Sequence, residues 1–157
     1  MRNPRRAIYG TIVTAAILAG EGAAHLDLQN MIVSVLVTLL VYWIAHVYSE
    51  VLGRWVTPSS AQHRSAILSR LGQALAEEWA IVVGGLGVVL VLAGAWLAGA
   101  SGQAAVNAAL WMATAELLEW GIIAAKNAGL SGIRVVVSGV TSASFGAVIV
   151  LLKVVLH

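Results

Sequence analysis

QNMIVSVLVTLLVYWIAHVYSEVL, residues 29–52, runs for twenty-four residues with one carboxylate, Glu50, one histidine, His46, and no lysine, arginine or proline. About 20 apolar residues in helical form cross the ~30 Å hydrocarbon core of a bilayer. A lone strand in lipid would leave its backbone N–H and C=O groups unpaired, so a spanning stretch of this kind is a helix.

The rest of the chain repeats the pattern. Residues 7–28 form another apolar run, broken late by Glu21, His25 and Asp27. Arg2, Arg5 and Arg6 before it and small residues at 20–24 give it the layout of a signal peptide, but its length suits a first span. Residues 79–100, 103–125 and 133–156 supply three more spans, separated by Ser101–Gly102 and by a loop holding Lys126, Asn127, Gly129, Ser131 and Gly132. Between the second and third spans, Pro58, Ser59 and Ser60 give a turn and an N-cap. Ile67, Leu68, Leu71, Leu75 and Trp79 then recur at helical spacing among His63, Arg64, Arg70 and Gln73. Residues 59–78 are therefore expected as an amphipathic helix on the cytoplasmic membrane surface. The expected fold is an all-α integral membrane protein: one domain, 1–157, of five spans and one surface helix.

Composition agrees. The 157 residues are 60% hydrophobic and 10% charged, with a mean hydropathy of +0.91. A soluble domain carries about 25% charged residues, so this chain has too few to cover a water-facing surface. It has no cysteine, which excludes disulfides, thiolate metal sites and cysteine nucleophiles. The net charge of +2 is spread over loop positions, which is no footprint for nucleic acid.

Orientation follows from the basic residues. With five spans and a cytoplasmic N-terminus, Arg2, Arg5, Arg6, Arg54, Arg64, Arg70, Lys126 and Arg134 lie inside and Lys153 alone lies outside, eight of nine on one side. The plasma membrane is the expected location.

Ionisable residues inside spans are costly and mark either a functional site or a structural pair, whereas Ser, Thr and Tyr there commonly bond a neighbouring helix. In the second span Asn30, Ser34, Thr38, Tyr42, His46 and Glu50 recur every four residues. The ladder drifts roughly 40° per step, so Thr38, Tyr42 and His46 share a face with Glu50 beside them. His46 and Glu50, one turn apart, have the spacing to share a proton or hold a metal ion. Glu116 and Glu119 are one turn apart in the fourth span, with Glu116 about 20 Å in from Gln103. Glu77 and Glu78 open the third span at the same depth. A transport or cation-binding site of His46, Glu50, Glu116, Glu119, Tyr42 and Thr38 is expected. His46, Glu50, Glu116 and Glu119 are its metal-ligating candidates, and Glu21, His25 and Asp27 form an outer mouth. Ion pairing of these acids with Arg54 or Lys126 is the competing structural reading.

Ser138, Ser142 and Gly146 form a small-residue stripe on the fifth span. Such a stripe admits a close helix neighbour, either within the chain or in a homo-oligomer; the second is the expectation here. The chain has no Gly-rich phosphate loop, no GxSxG elbow and no HExxH, and a single Asp, which argues against an enzyme. No cofactor is expected, beyond room for a metal cation. Two functions remain: a channel or transporter for protons or a cation, and an accessory or lipid-binding scaffold whose buried charges are structural pairs. A metal-dependent membrane enzyme ranks third.

Overall fold

The computed structural model describes residues 3–20, 27–56 and 64–156. They form five helices: α1 (Pro4–Gly20), α2 (Leu28–Val56), α3 (Arg64–Leu97), α4 (Gly102–Asn127) and α5 (Ile133–Leu156). The turns are built by local chemistry. Asp27 caps α2, its Oδ1 accepting from the Gln29 N–H at 3.3 Å. At the end of α3, the N–H of Ala100 bonds Ala95 O and that of Gly99 bonds Trp96 O. This Schellman closure needs a left-handed residue, and Gly99 supplies it at φ 71°. Ser101 then caps α4 by accepting from the Ala104 N–H. Gly129, at φ 75°, repeats the closure after α4.

Successive helices alternate in direction. Leu39 of α2 meets Gly85 of α3 while Trp43 reaches the Leu75 carbonyl, so those two run antiparallel. Gly121 of α4 meets Ser138 and Ser142 of α5, and Thr114 meets Gly146, again antiparallel. Arg6 meets Glu77 and Glu78, whereas Thr14 meets Gly85, so α1 and α3 are parallel. One end of the bundle therefore gathers Arg5, Arg6, Glu50, Glu77, Glu78, Lys126 and Arg134, and is called the basic end below. The other gathers Asp27, Ser101 and Lys153.

The row α2–α3–α4–α5 curves around α1, which packs on all four. Small residues make this close. The buried face of α1 is Ala7, Gly10, Thr11, Thr14, Ala15 and Leu18. A Cβ on Gly84 would run into the Ala7 carbonyl, and one on Gly10 into the Ile81 carbonyl. Dispersion between backbones at that range is what holds helices together where lipid is as apolar as leucine. Beyond this crossing, Leu18, Met31, Val35, Val88, Leu92, Val106 and Leu110 fill an apolar core toward the far end.

Outward faces are apolar too. Val37, Val41 and Ile44 on α2 and Val137, Val140 and Phe145 on α5 are all more than half exposed. A soluble monomer rarely exposes an apolar patch above a few hundred Å². Four segments, Leu28–Gly53, Gly72–Leu97, Gly102–Asn127 and Ile133–Val155, are long and apolar enough to cross a membrane. They point to a membrane-embedded protein.

The helix boundaries differ from those expected where they are described. The first apolar run was expected to span 7–28; its described helix, α1, is 17 residues long, about 26 Å, and 21–26 lie outside the described residues. The expected surface helix at 59–78 is not a separate element where it is described. Residues 64–78 are the first turns of α3, which continues unbroken to Leu97 over 34 residues, about 51 Å. Nothing between 64 and 97 stops a helix: there is no proline, and the single glycines and the Gly84–Gly85 pair each lie between helix formers or β-branched residues. The expected capping serines, Ser59 and Ser60, lie outside the described residues. Lastly, Ser138, Ser142 and Gly146, expected as an oligomer face, pack on α4 of the same chain. Ser138 Oγ donates to the Gly121 carbonyl at 3.0 Å.

Candidate functional site

Glu116 stands about 16 Å along α4 from Asn127 and about 21 Å from Gly102, near mid-helix. It is 8% exposed. Helical geometry turns it onto the junction of α1, α3 and α4. On the α3 side its Oε1 lies over Gly87, at the place any larger residue would fill. On the α1 side its Oε2 is 3.5 Å from Thr11 Oγ1. That hydroxyl has nearer partners: it is 2.5 Å from the Gly84 carbonyl and 3.1 Å from Ala7 O. Its single proton goes to a carbonyl. Glu116 Oε2 is thus the most distant of the three acceptors within reach of the Thr11 hydroxyl. No Lys, Arg or His lies within 4 Å of Glu116 among the described residues.

A second polar group lies nearer the basic end. Arg6 of α1 reaches two adjacent carboxylates of α3, with Nη2 at 2.7 Å from Glu78 Oε1 and Nη1 at 3.3 Å from Glu77 Oε2. Glu78 is buried and Glu77 exposed. The α1–α3 seam thus runs from an ion pair at the surface, past Thr11, to Glu116.

The remaining expected site residues are placed differently. Tyr42 and His46 are half-buried on α2 with their rings 4.6 Å apart at 50°. Thr38 is half-buried and its hydroxyl donates to its own helix, to Ser34 O at 2.8 Å. Glu50 is half-buried, with a partner of its own. Glu119 is exposed on α4. Helices α2 and α4 are not among the pairs that pack closely, so His46 and Glu50 do not oppose Glu116 and Glu119. Among the described residues no three His, Cys, Asp or Glu side chains gather as a metal site. Asp27 is an exposed helix cap; Glu21 and His25 of the expected outer mouth lie outside the described residues.

Thr11, Arg6, Glu78 and Lys153 were not among the expected site residues. A signal for the first was present: Ala7, Gly10, Thr11 and Thr14 are small residues at one-turn spacing, matched by Gly84, Gly85 and Gly87 in α3. Two small-residue helices of that kind are mutual partners, and a buried seam between them aims Thr11 at whatever α4 presents. Lys153 is 5% exposed and donates to Asn107 Oδ1 at 2.9 Å, joining α5 to α4 near the far end. No family model, no curated protein and no solved structure matches the chain.

Proposed function

We propose that this protein moves protons or a small monovalent cation across its membrane, with Glu116 as the residue that takes up and releases the ion. The observation carrying this reading is a carboxylate buried at mid-helix with no basic partner among the described residues. An ionised carboxylate in hydrocarbon is costly unless it is paired, protonated or bound to a cation. Pairing is not what surrounds Glu116. Gly87 leaves it space and the Thr11 hydroxyl is a distant donor to it, at 3.5 Å. Such a group is suited to alternate between a neutral loaded form and a charged empty one.

The apolar layer of Leu18, Val88, Leu92, Val106 and Leu110 lies between Glu116 and the far end. A carrier that exposes Glu116 to one side at a time fits that layer better than an open channel does. The basic end is placed in the cytoplasm on the distribution of Arg and Lys.

The same apolar layer favours a second reading, a non-transporting accessory subunit in which Glu116 is a structural polar contact. Proton and cation flux into proteoliposomes loaded with pH-sensitive and cation-sensitive dyes separates the two. Transport predicts flux above empty vesicles that Glu116→Gln abolishes while the protein stays folded. A well-folded wild type that passes no ion under any imposed gradient rejects transport.

A further inference from the structure

Beside Glu116, two other ionisable side chains are more than nine-tenths buried among the described residues, Lys153 and Glu78. Lys153 has its Asn107 partner. Glu78 is satisfied at one oxygen only. Its Oε1 accepts from Arg6, whereas its Oε2 is buried and has no hydrogen-bond partner among the described residues. A buried carboxylate oxygen without a donor is a costly group, and one kept in a native structure calls for an explanation.

Its position suggests the use. Glu78 follows Glu77, whose side chain is 51% exposed, so water is one residue away. Gly84, whose carbonyl holds Thr11, is six residues further along α3, about 9 Å. Gly87, under the Glu116 carboxylate, is nine residues further, about 14 Å. Glu78 also shares the α1-facing side of α3 with Ile81 and Gly85, at i+3 and i+7. Among the described residues, helix α1 brings Arg6 to it and α3 itself brings Glu77. Helix α2 meets this stretch of α3 with Trp43, on Leu75 and Trp79. Helix α4 brings Glu116, deeper in the same seam.

We propose that Glu78 is a second proton-binding residue, the entry carboxylate that takes a proton at the basic end and passes it inward to Glu116. The proposal rests on the transport reading given above. Oε2 accepts the proton from hydronium, leaving water, and Glu78 becomes neutral while Arg6 keeps Glu77. The proton then moves to the Glu116 carboxylate along a chain of waters entering the α1–α3 seam, because about 14 Å of helix separates the two positions, and Glu78 returns to its charged pair with Arg6. No electrons move and no other reactant is needed.

Arg6 makes the test sharp, because Glu78→Gln and Arg6→Gln break the same ion pair. Proton flux is measured in proteoliposomes carrying a pH dye for wild type, Glu78→Gln, Glu78→Asp, Arg6→Gln and Glu116→Gln. The entry role predicts that Glu78→Gln lowers flux at least about tenfold, within the usual reach of a proton-transfer group. It also predicts that Glu78→Asp restores part of the flux and that Arg6→Gln, which leaves the carboxylate in place, loses less of it than Glu78→Gln. Equal losses in Glu78→Gln and Arg6→Gln would mean that the pair is only structural, and would overturn the proposal. So would unchanged flux in Glu78→Gln when Glu116→Gln is inactive, an outcome that leaves the role of Glu116 standing. A wild type without flux overturns both. Infrared difference spectra after a pH jump do not need Glu78→Gln: in Glu116→Gln a protonated-carboxyl band must remain and must move in the added presence of Glu78→Asp. Its absence overturns the proposal even where Glu78→Gln fails to fold.

Discussion

Glu116 and Lys153 are both buried in helices whose outer faces are apolar, and they are satisfied in different ways. Lys153 donates to Asn107 Oδ1, and it lies in the last turn of α5, where the helix dipole favours a cation. Asn107→Ala removes the acceptor and leaves a buried ammonium without it, so thermal unfolding in detergent should show a loss of about 1–3 kcal/mol. Lys153→Met removes the charge as well and keeps the volume, and should be neutral or stabilising in the same assay. A loss as large as that of Asn107→Ala would show instead that the ammonium holds α5 in place. At Thr11 the opposite balance holds, since its hydroxyl serves the Gly84 carbonyl before it serves Glu116. Thr11→Val, close in volume, should cost about 1 kcal/mol of stability and lower ion flux further than that loss of folded protein explains. At this scale the sequence was partly readable. Glu116 stands out in any reading, because a carboxylate amid an apolar run is rare. His46 and Glu50 were weighted equally with it because one-turn spacing on one helix is visible in sequence, whereas the helix opposite is not. Thr11 was not counted as a site residue because a threonine in a membrane helix commonly bonds its own backbone, as Thr14 and Thr38 do.

Helix α3 carries both kinds of glycine, and that makes the element testable against itself. Gly84 lies against the Ala7 backbone, while Gly94, ten residues on, has open space where a side chain would go. Gly84→Leu must push α1 off α3, at a cost of about 1–3 kcal/mol or more. Gly94→Leu meets nothing and replaces a poor helix former with a good one, so it should be neutral or slightly stabilising. Comparison of the two unfolding temperatures in detergent checks this; equal losses would mean that the α1–α3 crossing is not the tight one. Gly121→Leu, which would meet Ser142 Oγ and the Ser138 carbonyl, should loosen α5 in the same way, and it should do so without changing the mass of the detergent-solubilised particle. Helical periodicity and span length marked where the apolar helices run. They did not separate a surface helix from the protruding start of a long one, because the polar residues of 63–78 look alike in both. Nor did they say whom the Ser138, Ser142 and Gly146 stripe faces: smallness licenses a close neighbour and carries no information on which chain supplies it.

For the whole molecule, the point to establish is whether α1 crosses the bilayer. At 17 residues it reaches about 26 Å, short of the ~30 Å core, and it is enclosed by the four longer helices rather than facing lipid on all sides. Its direction is nevertheless that of a span. It starts beside Glu77 and Glu78 at the basic end and runs parallel to α3, so Arg5 and Asp27 should emerge on opposite faces. A bilayer thins or a helix end is wetted at a modest cost for a mismatch of a few ångströms, and the buried face of small residues gives α1 neighbours over its full length. Because the chain has no cysteine, single cysteines at exposed positions report sidedness without background. An impermeant maleimide applied to right-side-out and inverted vesicles should label Arg5→Cys, Lys126→Cys and Arg134→Cys from the cytoplasmic side, and Asp27→Cys and Ser101→Cys from the other. Labelling of Arg5→Cys and Asp27→Cys from one side would make α1 a re-entrant core helix in a four-span bundle. The seam from Glu78 to Glu116 would then open on a different compartment from the one proposed. Labelling of the whole basic set from the outside would keep the bundle and reverse the direction in which its carboxylates load.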